Sequence, residues 1–259
     1  MATGLVAMLR GYLAILFTCF MVVVGGVPLV VLGLVCRSRR AMAWVASSWA
    51  RGALAICGVR LTIHGAEVLP DGPASFLLGN HQSALDIPIL IAAMRGDVRF
   101  MAKNSLFRFP IFGWVLSMYG YIPIDRKRTR VTLDRLHRMY DRVERDPISL
   151  VAFPEGTRSR DGRLLPFRKG TMKICHRIGL PVVPFAIEGS HRVTPRKRIH
   201  AKPGPVRLTF GERIGAATVA QMSSEALHDR IRGAIADMLD RTEEIETPRA
   251  ASVTAAEGR

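Results

Sequence analysis

The chain has 259 residues, a length that fits one globular domain with short additions. Its hydrophobic fraction of 49% suffices for a core, and its net charge of +16 favours an anionic partner: a phospholipid surface, a phosphorylated substrate or a nucleic acid. Its four cysteines form no Cys-x-x-Cys pair, so we exclude a disulfide framework and a cysteine-based metal site.

The first predicted element is a hydrophobic anchor. No charged residue occurs from Gly11 to Cys36, and about 20 apolar residues are enough to cross a bilayer. Gly25 and Pro28 interrupt this run, which permits two short helices that dip into one leaflet. Basic residues flank both ends, so the charge rule does not choose a direction for a single span. We expect residues 1–57 to form interfacial or re-entrant anchoring helices on the cytoplasmic membrane, with the following domain in the cytoplasm. A buried core helix is the alternative.

Strand and helix patterns alternate after the anchor. This alternation predicts an α/β fold with a mixed, mostly parallel central sheet flanked by helices over residues 58–245, followed by a disordered tail over 246–259. The predicted strands are Val59–His64, Ala74–Gly79, Val98–Ala102, Tyr121–Ile124, Ile148–Phe153, Val182–Ile187 and Val206–Phe210. The predicted helices are Ala41–Cys57, Ile89–Met94, Phe112–Met118, Val131–Glu144, Lys169–Ile178 and Ser224–Arg241.

A possible catalytic pair follows the second predicted strand. In the run from Asn80 to Asp86, a histidine and a carboxylate stand five positions apart. Imidazole accepts a proton near neutral pH, and a carboxylate on its far nitrogen orients the ring. The chain has no Gly-x-Ser-x-Gly segment, so His81 would activate a hydroxyl of the substrate. On one regular helix the two side chains would point roughly 140° apart.

Pro88 resolves that geometric difficulty, because proline does not fit deep inside a helix. We therefore expect the helix to begin near Asp86 and His81 to fold back on it from irregular backbone. The alternative is a capping box from Ser83 to Asp86 with His81 in solvent.

A second polar segment, from Phe153 to Ser159, follows the fifth predicted strand. Glu155 can accept hydrogen bonds from hydroxyls, and Gly156 allows close approach of the backbone to a ligand. Arg158 has the planar fork that suits a phosphate. An ordinary turn with a surface salt bridge is the alternative interpretation.

These segments resemble the glycerolipid acyltransferase family, and within it the bacterial 1-acyl-sn-glycerol-3-phosphate acyltransferases. Gly120–Arg126 is similar to the second block of that family, with Pro123 in place of the usual phenylalanine. Leu180–Pro184 is similar to its fourth block, and Met101–Leu106 also fits the pattern. The resemblance covers roughly residues 60 to 215, with four blocks in the family's order.

The resemblance implies that His81 is the general base and that Asp86 orients it. It also implies an acyl thioester donor, either acyl-CoA or acyl carrier protein, and a lysophospholipid acceptor at the bilayer. Neither a cofactor nor a metal is expected. The residues that it assigns to substrate binding are Lys103, Arg126, Glu155, Gly156, Thr157 and Arg158.

The leading hypothesis is an enzyme that acylates the sn-2 hydroxyl of 1-acyl-glycerol-3-phosphate. One alternative is an acyltransferase for another lysolipid, such as a lyso-ornithine lipid. The other is a non-catalytic, membrane-bound phospholipid or nucleic-acid binder that uses the basic clusters Arg126–Arg130 and Pro195–Arg198. Those clusters lack the interleaved aromatic residues that stack on bases, so we expect no nucleic-acid partner. Glu188–His191 is a weaker candidate for the site lining, and we assign it no role.

Overall fold

The structure is a computed structural model that describes residues 2–21, 24, 39–69, 75–94, 98–124, 149–196 and 198–246. The strands are β1 Val59–His64, β2 Phe76–Gly79, β3 Val98–Lys103, β4 Ile122–Ile124, β5 Ser149–Ala152, β6 Val182–Glu188 and β7 Gly204–Phe210. The α-helices are α1 Ala2–Met21, α2 Arg39–Cys57, α3 Asp86–Ala93, α4 Phe112–Met118, α5 Lys169–Ile178, α6 Ser190–Val193, α7 Ala216–Gln221 and α8 Ser224–Glu246. Two 3₁₀ helices cover Ala66–Val68 and Asn104–Arg108.

The strands form one seven-stranded sheet in the order β1-β7-β6-β2-β5-β3-β4. The strands from β6 to β4 in that order are parallel, β7 is antiparallel to β6, and β1 is parallel to β7. The predicted α/β fold with a mixed, mostly parallel sheet is therefore confirmed. Because β6, β2, β5 and β3 are parallel neighbours, their carboxyl ends lie along one edge of the sheet.

All the strands predicted from sequence are present in the described residues, with ends that differ slightly. For example, β7 begins at Gly204 rather than at the predicted Val206, and β3 continues to Lys103. The predicted helix over 131–144 lies outside the described residues. The helix that contains Ile89 begins at Asp86, as the position of Pro88 predicted, and Pro88 lies in its first turn, where the helix needs few N–H donors.

Apolar side chains cover both faces of the sheet. Successive side chains of a strand point to opposite faces, so neighbouring residues of one strand pack in different parts of the core. On β2, Leu77 packs on one face with Ala50 of α2 and Leu90 of α3. Phe76 packs on the opposite face, together with residues of α5 and α8. Each fully buried side chain of this size contributes about 1.5–3 kcal/mol to stability. Helices on both faces therefore hold the sheet edge in place.

The N-terminal helix α1 is long and apolar enough to cross a membrane by length and composition, over Gly4–Met21 with mean hydropathy 1.8. It begins before Arg10, whereas the predicted hydrophobic run began at Gly11. The Ala201 N–H donates to the Ala7 carbonyl (2.8 Å), which joins α1 to the sheet domain. The expected break at residues 25–28 lies outside the described residues. Of the tail expected over 246–259, Glu246 is the last residue of α8, and the rest lies outside the described residues.

Candidate active site

The loop after β2 is fixed to the neighbouring strand β6. The Asn80 side-chain amide donates to the Ile187 carbonyl and accepts the Ile187 N–H, both at 2.7 Å. Both polar groups of a fully buried amide are thus satisfied. This pairing sets where the chain leaves the sheet, and so where the next residue, His81, lies.

His81 and Asp86 form a hydrogen-bonded pair. His81 Nδ1 lies 2.7 Å from Asp86 Oδ2, and the aspartate is completely buried. The same oxygen accepts the N–H groups of Gln82 (2.7 Å) and Ser83 (2.9 Å). Ser190 Oγ donates to the other oxygen at 2.6 Å. An aspartate with these donors is an acceptor, so Nδ1 carries the ring proton and Nε2 keeps a lone pair.

Of the two sequence interpretations of Asp86, the structure has the contact with His81 and not the capping box with His81 in solvent. The bond of Asp86 to the Ser83 N–H is part of the turn before the helix, whose N-cap is Leu85 and has no side-chain cap, while its bond to His81 forms the predicted pair. His81 is not free in solvent, because its ring stacks on Phe153 with centroids 4.1 Å apart and planes 15° apart. Phe153 in turn meets Phe185 edge-on. The imidazole is therefore oriented by a carboxylate and by an aromatic face.

The second polar segment is joined to the first. The Ser159 N–H donates to the His81 carbonyl (2.7 Å), and the His81 N–H donates weakly to Glu155 Oε1 (3.4 Å). Glu155 is 3% exposed. Burial, with a smaller contribution from the charge of Asp86, raises its pKa to about 8, against the opposing hydrogen bonds from the backbone of His81 and Leu165. In the described part of the chain its Oε2 has no hydrogen-bond partner.

Gly156 occupies a backbone conformation that glycine favours, with φ +66°. A Cβ at this position would also collide with the guanidinium of Arg168. Arg168 donates from its backbone N–H to the Pro154 carbonyl (2.8 Å) and from Nε to the Glu155 carbonyl (3.4 Å). A larger residue at position 156 would therefore need both a strained backbone and a shift of the Arg168 side chain.

These loops border a cleft of about 650 Å³ at the carboxyl edge of the sheet. Arg168 and Arg196 were not predicted for the site, although Arg196 belongs to a basic cluster evident in the sequence. Its Nη1 donates to the Arg158 carbonyl (2.9 Å). Among the described residues no aspartate or glutamate lines the cleft, so its charge is positive. The polar and charged lining residues are His81, Lys103, Thr157, Arg158, Arg168, Thr171 and Arg196, and Gly156 also lines it.

The structure therefore places Lys103, Thr157 and Arg158 in one cleft with His81. Glu155 and Asp86 lie buried behind its wall. Arg126, the remaining predicted site residue, lies outside the described residues. In the described part of the chain, no group of three or more His, Cys, Asp or Glu side chains is placed to hold a metal ion. The expectation that the chain needs no cofactor stays a prediction.

An apolar cavity of about 130 Å³ adjoins the cleft. Four residues line both spaces: Ile87, Phe100, Ala102 and Leu106. Most of the rest of its wall comes from α1, α2 and α4, including Thr18, Trp49 and Val115. Trp49 Nε1 donates to Thr18 Oγ1 (3.3 Å), so α1 and α2 are joined at this wall. Beside the histidine, a positively charged space thus continues into an apolar one.

A family model described as Acyltransferase matches residues 60–188, which include both polar segments and most of the sheet. The chain belongs to the acyltransferase family. The glycerolipid acyltransferase resemblance drawn from the sequence is thereby confirmed.

Relatives of this acyltransferase chain are named for one activity. A chloroplastic 1-acyl-sn-glycerol-3-phosphate acyltransferase of Brassica napus is 41% identical over 51% of this chain and 38% of its own length. The chloroplastic enzyme of that name from Arabidopsis thaliana is 34% identical over 70% and 49%. One from Pseudomonas aeruginosa is 27% identical over 71% and 74%. The chain spans half or less of the length of the plant relatives named here.

The crystal structure of the 1-acyl-sn-glycerophosphate acyltransferase of Thermotoga maritima has the same fold. It superposes with a TM-score of 0.76 at 24% identity, over 93% of this chain and 96% of that one. The acyltransferase domain and the helices before it thus follow an architecture that occurs in a distant bacterial protein.

Proposed function

We propose that this chain transfers an acyl group from a thioester donor to the sn-2 hydroxyl of 1-acyl-glycerol-3-phosphate, which makes phosphatidic acid. The observation that carries the proposal is the His81–Asp86 pair, placed where a positively charged cleft meets an apolar cavity. An acceptor with a phosphate at one end and a hydrocarbon chain at the other has matching chemistry. The activity for which the relatives are named supports the same acceptor.

In the proposed reaction, His81 Nε2 removes the proton of the acceptor hydroxyl as its oxygen attacks the thioester carbonyl. Asp86 stabilises the imidazolium that forms. The tetrahedral intermediate collapses, the C–S bond breaks, and the imidazolium returns its proton to the leaving thiolate. No acyl-enzyme forms, because the hydroxyl attacks the donor directly.

The acceptor phosphate is proposed to bind Lys103 and Arg158, with Arg126 as a third contact. The positive charge of the cleft and the planar fork of arginine support this assignment. Gly156 and Thr157, which line the cleft, would hold the glycerol portion, and the buried Glu155 would support them from behind the wall. With its pKa raised to about 8, Glu155 keeps its proton at neutral pH, so it places no negative charge behind the positively charged cleft.

The acyl chain is proposed to enter the apolar cavity, whose wall includes residues of α1. Residues 1–57 would then both anchor the protein to the cytoplasmic membrane and border the acyl site, with the domain of residues 58–245 on the cytoplasmic side. Lipid would reach the cleft without crossing water. Acyl-CoA and acyl carrier protein are both compatible with this arrangement as donors.

The test is acyl transfer by detergent-purified protein from labelled oleoyl-CoA, or from oleoyl-acyl carrier protein, to a panel of lysolipids. His81→Ala is compared with His64→Ala, a matched control at an exposed histidine on β1. Acylation of lysophosphatidic acid that His81→Ala abolishes and His64→Ala retains would support the proposal. Transfer to a different lysolipid would replace the acceptor. A lack of transfer from either donor to any acceptor would contradict enzymatic function.

A further inference from the structure

A segment outside both polar motifs, residues 187–194, forms hydrogen bonds with residues 80–86, which we call the catalytic loop. The contacts extend from one end of that loop to the other. The partners are 104 to 111 positions apart in sequence, so only the pairing of β6 with β2 brings them together. Each contact uses a side chain of the catalytic loop. The hydrogen-bonded pairs are Asn80–Ile187, Gln82–His191, Ser83–Thr194 and Asp86–Ser190.

One of these contacts reaches the proposed catalytic pair. Ser190 Oγ donates to Asp86 Oδ1 at 2.6 Å, and both residues are fully buried. The His81 ring and the backbone N–H groups of Gln82 and Ser83 all form their hydrogen bonds with Oδ2. Among the described residues, Ser190 therefore provides the donor to Oδ1. A carboxylate held on both oxygens cannot rotate without losing a charge-assisted hydrogen bond.

We propose that Ser190 is a positioning residue for acyl transfer: it holds Asp86 so that Oδ2 faces His81 Nδ1. The proposal rests on the proposed function of the His81–Asp86 pair. Ser190 does not line the cleft, so it acts through Asp86 rather than on the substrate.

The backbone conformation on both sides of Ser190 restricts the position of its hydroxyl. Gly189, immediately before it, has φ +84°, and a Cβ there would press on the Pro205 carbonyl of β7. The chain then enters the single turn of α6, in which the Thr194 N–H donates to the Ser190 carbonyl (3.0 Å). Ser190 therefore has little freedom to move. The glycine turn before it packs against β7, and the turn after it is hydrogen-bonded.

A double-mutant cycle tests the proposal. Ser190→Ala should lower kcat about 10- to 100-fold, because this is the change in rate expected when a hydrogen bond to a charged group is lost. The KM for acceptor and donor should stay within about twofold, because Ser190 does not touch the cleft. In an Asp86→Asn background the same change should lower kcat less than about twofold, since its effect passes through the charge of Asp86. Equal losses in both backgrounds would overturn the proposal.

The matched control is Ser75→Ala, a fully buried serine whose hydroxyl has no partner among the described residues. It should leave kcat near the wild-type value. Thermal unfolding of every variant separates misfolding from mispositioning. Ser190→Thr keeps the hydroxyl, so it should recover part of the lost kcat if its unfolding temperature is near that of wild type.

A second measurement does not depend on any acceptor: the ¹⁵N resonances of His81, assigned by their loss in His81→Gln. In Ser190→Ala they should move toward their Asp86→Asn positions as the Nδ1–H tautomer becomes less favoured, while in Ser75→Ala they should stay at the wild-type positions. If the wild type acylates no lysolipid, the proposed function fails, and these resonances still decide the role of Ser190. Resonances unchanged in Ser190→Ala would overturn it.

Discussion

His81 lies in irregular backbone, and this lets its ring reach a carboxylate that is five residues further on. The helix that follows begins at Asp86 itself, so the carboxylate projects from the first turn toward the loop. The loop N–H groups that approach it also satisfy the need for donors around a buried charge. The local geometry is therefore compatible with both a helix start and a base with its orienting acid.

Removal of the Asp86 charge should impair catalysis more than folding. Asp86→Asn keeps the shape but no longer stabilises an imidazolium, so we expect kcat to fall about 10²- to 10⁴-fold. Steady-state acyl transfer measures this, with Asp229→Asn, a change at an exposed aspartate of α8, as the control. Near-normal turnover in a folded Asp86→Asn protein would contradict the role of the pair.

Ionisation of Glu155 should lower the free energy of unfolding as pH rises, which is the opposite of the usual effect of a carboxyl group. Its pKa is raised from 4.5 to about 8, so between these values the folded chain binds more protons than the unfolded chain. The free energy of unfolding should therefore fall as pH rises from 4.5 toward 8, with a slope on the order of 1.4 kcal/mol per pH unit.

Chemical unfolding at several pH values measures this effect. Glu155→Gln has no carboxyl to ionise, so its stability relative to wild type should increase across this pH range. Glu67→Gln, at an exposed glutamate, should show no such trend. A constant difference between wild type and Glu155→Gln would show that Glu155 titrates normally.

The loop after β5 depends on a single glycine. Gly156→Ala would place a side chain at φ +66° and against Arg168, so we expect a loss of at least about 1–2 kcal/mol in the free energy of unfolding. Gly215→Ala is the matched control, because Gly215 has φ −63° and no atom within 4 Å of an added Cβ. Equal stability of the two variants would mean that the turn relaxes at little cost.

Lys103 at the end of β3 and Arg158 in the loop after β5 should form one phosphate site. Arg158→Gln removes a charge-assisted contact worth about 1.5–3 kcal/mol, so we expect the KM for lysophosphatidic acid to rise about 10-fold or more. The KM should change little for Arg177→Gln, at an exposed arginine of α5. Initial rates at varied acceptor concentration test this. An unchanged KM in Arg158→Gln would remove this residue from the site.

The molecule as a whole exposes an apolar surface along α1. Leu9 and Leu16 are 57% and 65% exposed, an unusual feature unless a bilayer covers the helix. Replacing both by glutamine should weaken binding to vesicles by about 3–6 kcal/mol, since burying each leucine contributes about 1.5–3 kcal/mol.

Vesicle flotation measures the partition of each variant. Ile63→Gln on the edge strand β1, also an exposed apolar position, is the control and should bind as wild type does. Full binding by the α1 variant would place the membrane contact elsewhere.

Much of this architecture follows from short-range patterns. The strands were predictable because each has a short local pattern, an alternation in β1 and a continuous apolar run in buried strands such as β2 and β6. Both polar motifs were recognisable because each directly follows a strand. The predictions missed short elements such as α6, where one helical turn is too brief for a hydrophobic period. Arg168 was missed because nothing in its own segment connects it to residues 155 and 156.

The sequence by itself determined the order of most strands and helices along the chain, the two residues of the proposed catalytic pair and the presence of a long apolar N-terminal run. Each of these depends on residues a few positions apart. Only the tertiary structure decided that β2 lies between β6 and β5, so that Ser190 meets Asp86 and Ser159 meets His81. Burial between those loops also raises the pKa of Glu155. The physical reason is that strand order and burial arise from packing across about 70 to 110 positions, where no sequence periodicity operates.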